Sequence, residues 1–373
     1  MKNILIAPDS FKGTLSAEQV CDIIGKAFED EIGNVNIKKL PLADGGEGLC
    51  QCMKQICGGK ALSAEVSGVF GKKMQAEYLI LPDGTAVIEM AACAGLPLAG
   101  DRKNPELTTT KGVGELISHA ISNGAKSILL GLGGSATNDC GIGMASALAF
   151  EFLDANGNIL EPIGKNLSKI NKIICPKDKI SLPVFCACDV ENFLYGKNGA
   201  AYVFARQKGA DDEMTARLDE GLKNISEVIK RDLGKDVSSL EGAGAAGGMG
   251  AGAVVFLGAK LQKGIEFILD KSGFDNLLTD ANLVITGEGK LDSQSLQGKV
   301  ISGVAKRAAK KGAKVITICG CKGEGAEKAL EIGVSEMYFS CNEPKPFEEI
   351  LKTCESDLYN AAKSAAKANL SAL

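Results

Sequence analysis

The sequence predicts an α/β protein in which a parallel-sheet domain, built from both ends of the chain, is interrupted by a domain of different strand grammar. Three observations carry this. Short apolar runs alternate with amphipathic helical stretches over residues 1–64 and again over 280–373, the pattern of a parallel sheet with helical crossovers. Residues 65–279 instead open on alternating strands joined by close turns, a hairpin pattern. The length, 373 residues, exceeds what one small core organises, and chain ends commonly lie together in a domain that accepts an insertion.

Asn3–Ala7 is a short apolar run that ends at Pro8-Asp9-Ser10, a buried strand entering a turn. Ser16 opens a helix with the capping pattern Ser16-x-x-Gln19, and Val20, Ile23, Ile24, Ala27 and Phe28 form the stripe of a helix packed on a sheet. Asn36–Leu40 is a second strand, running into Asp44-Gly45-Gly46-Glu47-Gly48 before an apolar helix near Leu49. Ser63–Val69, Gln75–Leu81 and Thr85–Met90 read as strands, the last two joined through Pro82-Asp83-Gly84. Ser127–Leu130 enters the loop Gly131–Asp139, and a small-residue helix follows from Gly141. Val184–Ala187 ends at Cys188-Asp189-Val190, and Ala210–Leu233 is an amphipathic, charge-rich outer helix. Leu283–Thr286, Val315–Ile318 and Met337–Phe339 are short continuous apolar runs separated by helices, as in strands buried on both faces.

Composition excludes several classes. Lys and Arg total 42 against 46 Asp and Glu, a net charge of −4, and there is no tryptophan, so neither a basic footprint nor a stacking platform for nucleic acid is present. The thirteen cysteines are odd in number, fall partly in C-x-C pairs and have a single histidine, His119, beside them. That is no zinc-site spacing, and the thiols read as small buried hydrophobes of a reducing, cytoplasmic setting. The N-terminal residues form no secretory h-region, and the longest charge-free stretch, Gly242–Ala259, is 18 residues with seven glycines, a poor membrane span.

Glycine is the outlier, 46 residues or about 12 % against a usual ~7 %. Five loops share glycine with Asp, Glu, Ser, Thr or Lys directly after an apolar run: Asp9–Gly13, Asp44–Gly48, Gly133–Asp139, Cys188–Asn192 and Gly287–Asp292. Ligands of open α/β sheets bind outside the carboxyl ends of strands, where such loops sit. Glycines let backbone N–H groups converge on phosphate oxygens, and Gly133-Gly134-Ser135 before a helix suits that use. No G-x-x-x-x-G-K-[ST] occurs, and Gly242–Gly247 matches G-x-G-x-x-G without a preceding strand. The glycines of 242–252 suit a hinge or a close crossing of two backbones equally. Phosphoryl transfer requires an orienting base, Mg²⁺ ligands and positive charge, which Asp9, Asp44, Glu47, Asp189, Glu288, Asp292, Lys12, Lys208 and Lys290 can supply. A Ser-His-Asp hydrolase is disfavoured, since His119 lies mid-helix and no G-x-S-x-G elbow exists.

At these loops the chain resembles the bacterial glycerate kinase family. The segments that carry the resemblance are IAPDSFKGTLSA (6–17), LPLADGGEG (40–48), GLGGSATND (131–139), CDVENFL (188–194), NGAAYVFARQKGA (198–210), GAGAAGGMG (242–250) and ITGEGKLDSQSLQGK (285–299). The resemblance implies a discontinuous Rossmann-like (flavodoxin-like) domain, 1–64 with 280–373, an inserted mixed α/β domain, 65–279, and an active cleft between them. It also implies ATP- and Mg²⁺-dependent phosphorylation of D-glycerate, in this branch at the 2-hydroxyl. Under it, Asp189 is assigned as the group that orients or deprotonates the hydroxyl, with Asp44 as runner-up, and Lys12 or Lys290 as the neutralising cation. Asp9, Ser10, Gly45, Gly46, Glu47, Gly133, Gly134, Ser135, Thr137 and Asn138 fall to substrate and nucleotide binding, and Glu288 and Asp292 to Mg²⁺. Cys140 stands where the family commonly has glycine, Leu49 where it has threonine, and Glu191 and Phe193 where Asp and Pro are commoner. The competing readings are a glycerate 3-kinase, a kinase of a neighbouring small hydroxy acid, and a non-catalytic sensor of small acids. Partners other than glycerate and ATP are not implied; neither nucleic acid nor membrane is expected, and a homo-oligomer is compatible with the resemblance.

Overall fold

The computed structural model describes residues 2–43, 45–46, 48–296, 298–341, 343 and 345–370. Its strands in chain order are β1 (Lys2–Ile6), β2 (Val35–Lys39), β3 (Lys60–Ser67), β4 (Lys73–Ile80), β5 (Thr85–Glu89), β6 (Ser127–Gly131), β7 (Glu151–Leu153), β8 (Lys172–Ile174), β9 (Val184–Ala187), β10 (Lys260–Gln262), β11 (Leu283–Thr286), β12 (Lys290–Leu291), β13 (Lys314–Lys322) and β14 (Val334–Cys341). They belong to an α/β protein with one parallel sheet and one mixed sheet. Met1–Asp44 and Lys263–Leu373 make one compact unit, and Gly45–Gln262 the other.

The first unit is built on parallel strands in the order β2-β1-β11-β13-β14, with the short β12 beside the C-terminal end of β13. Parallel strands need both faces covered, which explains their continuous apolar runs. On one face Ile4, Ile6, Leu283, Ile285, Ile316 and Ile318 pack with Val20, Ile24 and Phe28 of helix Ala17–Ile32 and with Leu358 and Ala362 of helix Phe347–Ala368. The alternate residues Leu5, Val284 and Val315 point the other way and are equally buried. Helix Val300–Lys310 packs on β11 and β13. Helix Ala17–Ile32 starts as its sequence dictates: the Gln19 amide donates to Ser16 Oγ at 3.2 Å and the Ser16 amide to Gln19 Oε1 at 2.9 Å.

The second unit's main sheet runs β10-β9-β6-β5-β4-β3. Its first four strands are parallel and its last two antiparallel, with β5 the pivot between the two patterns. The β4–β5 hairpin turns at Gly84, whose φ of 87° suits glycine. Helix Asp212–Leu233 buries Leu218, Leu222, Ile225 and Ile229 along one stripe, is capped by Asp211 and stops at Gly234. Strands β7 and β8 form a separate small hairpin.

The unit borders fall elsewhere than the 64/65 and 279/280 read from sequence, and the reason is packing. Helix Leu49–Cys57 lies on β5, and the Cys50 amide donates to Glu89 Oε1 at 2.7 Å, a carboxylate at a helix N-terminus. At the other border β10 extends the mixed sheet, whereas helix Gly264–Lys271 packs on helix Val300–Lys310. Among the described residues no helix is long and apolar enough to cross a membrane.

Candidate functional site

In the first unit the chain leaves β1 toward β2 on one side and returns through β11, β13 and β14 on the other. The crevice at such a reversal is where open α/β sheets bind ligands. A cavity of about 370 Å³ lies there, lined by Asp9, Ser10, Lys12, Glu288, Lys290 and Asp292. Pro8 closes β1, and the Asp9 amide donates to the Gly287 carbonyl at 2.8 Å, so the two loops are tied one step past their strands. Asp9 is buried and its Oδ1 accepts from the Ser10 amide at 2.6 Å. Phe11 and Leu15 then exchange backbone hydrogen bonds across a tight turn, with Gly13 at φ 83°, and this turn carries Lys12 exposed at the cavity.

Glycine is required where these strand ends meet. A Cβ on Gly287 would stand 1.9 Å from the Ile318 carbonyl oxygen, and one on Gly320 2.2 Å from that of Gly289. Glu288 is buried beside this junction. Asp292 Oδ1 accepts from the amides of Gln294 at 2.9 Å and Ser295 at 3.4 Å, while Lys290 Nζ lies 3.4 Å from Oδ2. Burial works to raise the Asp292 carboxyl, but the two amides and the Lys290 ammonium prevail and hold it below the usual carboxylate range. Its charge is therefore secure at neutral pH. Lys299, Ser340 and Asp357 line the same cavity. Of these only Lys299 falls in a motif that the sequence singled out.

In the second unit a separate group of loop residues gathers at the carboxyl ends of the neighbouring strands β6 and β9. The Gly131–Asn138 segment leaves β6 and Cys188-Asp189 leaves β9, with the Leu132 amide donating to the Ala187 carbonyl at 3.4 Å. Gly45 lies against the same end, since a Cβ on Gly131 would come within 2.8 Å of its carbonyl oxygen; Gly46 follows it, half-buried. Asp189 is half-buried at the mouth of β9. Gly133 and Gly134 occupy the front of the loop, Gly134 exposed at φ 70°, while Ser135, Thr137 and Asn138 are buried behind them.

Two residues to which sequence alone assigns no specific role, Lys208 and Asp139, hold this loop. Lys208, 2 % exposed, donates to Ser135 Oγ at 2.8 Å and to the Thr137 carbonyl at 2.7 Å. Burial pulls its ammonium down to about 7, against the attraction of Asp139. Asp139 accepts from the Thr110 amide and hydroxyl at 2.8 Å each and from the amides of Gly141 and Gly143; burial pushes its carboxyl up despite these donors. Both residues fall inside family-like segments, but nothing in the sequence distinguishes a buried lysine from an exposed one. Behind the loop the glycine-rich segment 242–252 makes a close backbone crossing: a Cβ on Gly247 would stand 2.0 Å from the Thr137 oxygen, and one on Gly252 2.4 Å from the Cys140 oxygen. Ala246, Gly247 and Gly248 are successively left-handed, interrupting helix Ala245–Phe256.

Asp9, Ser10, Lys12, Glu288, Lys290 and Asp292 thus share one cavity, whereas Gly45, Gly46, Gly133, Gly134, Ser135, Thr137, Asn138 and Asp189 collect on the other unit. Asp44 and Glu47 lie outside the described residues.

Comparison with known proteins decides what these loops belong to: residues 4–370 match the model of the glycerate kinase family. The chain belongs to the glycerate kinase family. A glycerate kinase from Bacillus cereus is 42 % identical over 97 % of both chains, and a glycerate 2-kinase from Escherichia coli K12 is 41 % identical over 97 % of both. A crystal structure of a provisionally named glycerate kinase 2 from Salmonella typhimurium LT2 superposes with a TM-score of 0.86 at 40 % identity, covering 98 % of each chain. With the family comes its activity: the chain is a transferase with glycerate kinase activity, and kinase chemistry implies ATP as the phosphoryl donor.

Proposed function

We propose that the chain transfers the γ-phosphoryl group of ATP to the 2-hydroxyl of D-glycerate, with Mg²⁺, to give 2-phosphoglycerate and ADP. The observation that carries the regiochemistry is the full-length similarity to the relative named glycerate 2-kinase. The first unit's strand order, which reads 2-1-3-4-5 when its main strands are renumbered, supports a flavodoxin-like sheet with its ligand crevice beside the first strand. Phosphoryl transfer is catalysed by positioning and by charge placed around the transferred group. In this reading Lys12 and Lys290 neutralise anionic oxygens, Asp9 and Ser10 contribute to binding, and the Gly133–Asn138 loop cradles phosphate with its N–H groups. Gly45, Gly46 and Glu47 belong to the same binding role.

Asp189 is the group that orients or deprotonates the glycerate hydroxyl, with Asp44 as the second choice. A carboxylate at the end of a buried strand can be held in place while it accepts a proton. Mg²⁺, when bound, offsets phosphate charge. Among the described residues no three or more His, Cys, Asp or Glu side chains are grouped to hold a metal ion. That suits Mg²⁺, which is bound through one or two carboxylates together with substrate phosphates, and Glu288 and Asp292 can supply them. The thiols and the charge balance suit a cytoplasmic enzyme.

The test is phosphorus NMR of the purified protein with D-glycerate, ATP and Mg²⁺ against authentic 2- and 3-phosphoglycerate. A 2-phosphoglycerate signal is expected. The 3-isomer would overturn the regiochemistry while leaving the family activity intact.

A further inference from the structure

We infer that Lys208 is a positioning residue that turns the Ser135 hydroxyl into a hydrogen-bond donor aimed at an anionic oxygen of the nucleotide. This rests on the reading of the Gly133–Asn138 loop as a phosphate cradle. Burial of this lysine against two neutral acceptors is costly to desolvate, and the attraction of Asp139 offsets only part of that cost, so its place in a core calls for a reason beyond stability. The geometry supplies one. Lys208 Nζ occupies a lone pair of Ser135 Oγ, at 2.8 Å, and the Thr137 carbonyl, at 2.7 Å, bridging the two ends of the turn. A hydroxyl that accepts from the lysine Nζ keeps its own proton to give elsewhere, the polarity an oxyanion needs, and gives it most strongly while the lysine is charged.

The turn is fixed on both sides. Lys208 ends the one-turn helix Arg206–Lys208, and Gly209 behind it, at φ 97°, is packed so closely that a Cβ would stand 2.5 Å from the Lys103 carbonyl oxygen. Asp139 beyond the turn is committed to Thr110, Gly141 and Gly143. Thr137 Oγ1 and both amide atoms of Asn138 are sealed from solvent without a hydrogen-bond partner, and Ser135, buried at 8 % exposure, is the least enclosed polar side chain of this turn. The lysine therefore works through the serine, and the front of the loop, Gly133-Gly134, rides on a clamped base.

Steady-state kinetics and ADP calorimetry on Lys208→Met, Ser135→Ala and the double variant test this, with thermal melting to confirm that each is folded. Each single change is expected to raise KM for ATP ~10-fold or more, with KM for D-glycerate within about 2-fold of wild type. Because both remove one relay, the double variant should be no worse than the poorer single one. Partial recovery of Lys208→Ala by added propylammonium, which refills the site with an amine, is the second expected signature. Additive losses, or a folded Lys208→Met with ordinary ATP parameters while Ser135→Ala is impaired, overturn the relay and leave the loop reading standing. If neither variant disturbs nucleotide binding, or only D-glycerate KM moves, the cradle reading fails and the relay with it.

Discussion

The Cys140 amide donates to the Gly247 carbonyl at 3.0 Å, and both residues are left-handed, at φ 52° and 71°. Two backbones cross there with glycine on one side and cysteine on the other. An L-residue in that conformation pays ~1–2 kcal/mol that glycine does not. Cys140→Gly is therefore expected to be more stable than Cys140→Ala by about 0.5–1 kcal/mol, the reverse of the ordinary order in a helix or strand. Urea unfolding of the two variants, which both lack the thiol, isolates the backbone contribution. Equal midpoints would mean that Cys140 carries no conformational strain.

The crossing also shows where sequence reasoning stops. The buried parallel strands were legible because β1, β11 and the middle of β13 are continuous apolar runs, and the first helix because Ser16 and Gln19 spell out its cap. Strand β10 was not, since Lys260–Gln262 is three residues long and its edge position buries none of them fully. The glycines of 242–252 announced a special backbone, but hinge and crossing require the same residue, and only the partner atoms distinguish them. At the site the same limit holds. That Asp9, Glu288 and Lys290 line one cavity was legible because glycine-bearing loops at strand ends gather at such crevices, whereas the burial of Lys208 depends on a turn brought against it from 71 residues away.

Gly287 tests the junction beneath the first unit's cavity. Its missing Cβ admits the Ile318 carbonyl, to which a methyl group would come within 1.9 Å, and the obstacle is backbone rather than a side chain that can swing away. Gly287→Ala must part β11 from β13 at the point where Glu288 enters the cavity. A loss of about 3 kcal/mol or more is expected, at the upper end for single substitutions. Gly312→Ala, at a positive φ of 72° but with open space around it, should cost only the ~1 kcal/mol of conformational strain. Thermal melts of the pair check the contrast; similar Tm shifts would mean that the junction relaxes freely.

Asp189→Asn probes the proposed base. The amide keeps the size and polarity of the carboxylate but cannot accept the hydroxyl proton. A fall in kcat of ~10²-fold or more is expected, with KM for both substrates little changed and the acid limb of the pH–rate profile lost. The same measurement on Asp44→Asn separates the two candidates. Near-normal kcat for folded Asp189→Asn together with a large fall for Asp44→Asn would transfer the role.

Lys208 makes the stability itself depend on pH in an unusual direction. Burial holds its ammonium at about 7 in the native chain, whereas an unfolded lysine titrates at ~10.4. Below pH 7 both states are protonated and the full cost of burying the charge is present. Between pH 7 and about 10 the unfolded chain holds a proton that the native one has released, so this residue makes the unfolding free energy rise with pH, by at most ~1.4 kcal/mol per pH unit. Lys208→Met keeps the bulk and removes the titration. Its stability relative to wild type should therefore be greatest at pH 6 to 7 and decline steadily toward pH 9.5, whatever constant offset arises from leaving Ser135 Oγ and the Thr137 carbonyl without their donor. Urea denaturation of both proteins across that range reads the difference directly, with the other lysines and cysteines cancelling between them. A difference that stays flat would show that Lys208 remains charged throughout, held by Asp139 more firmly than its burial opposes.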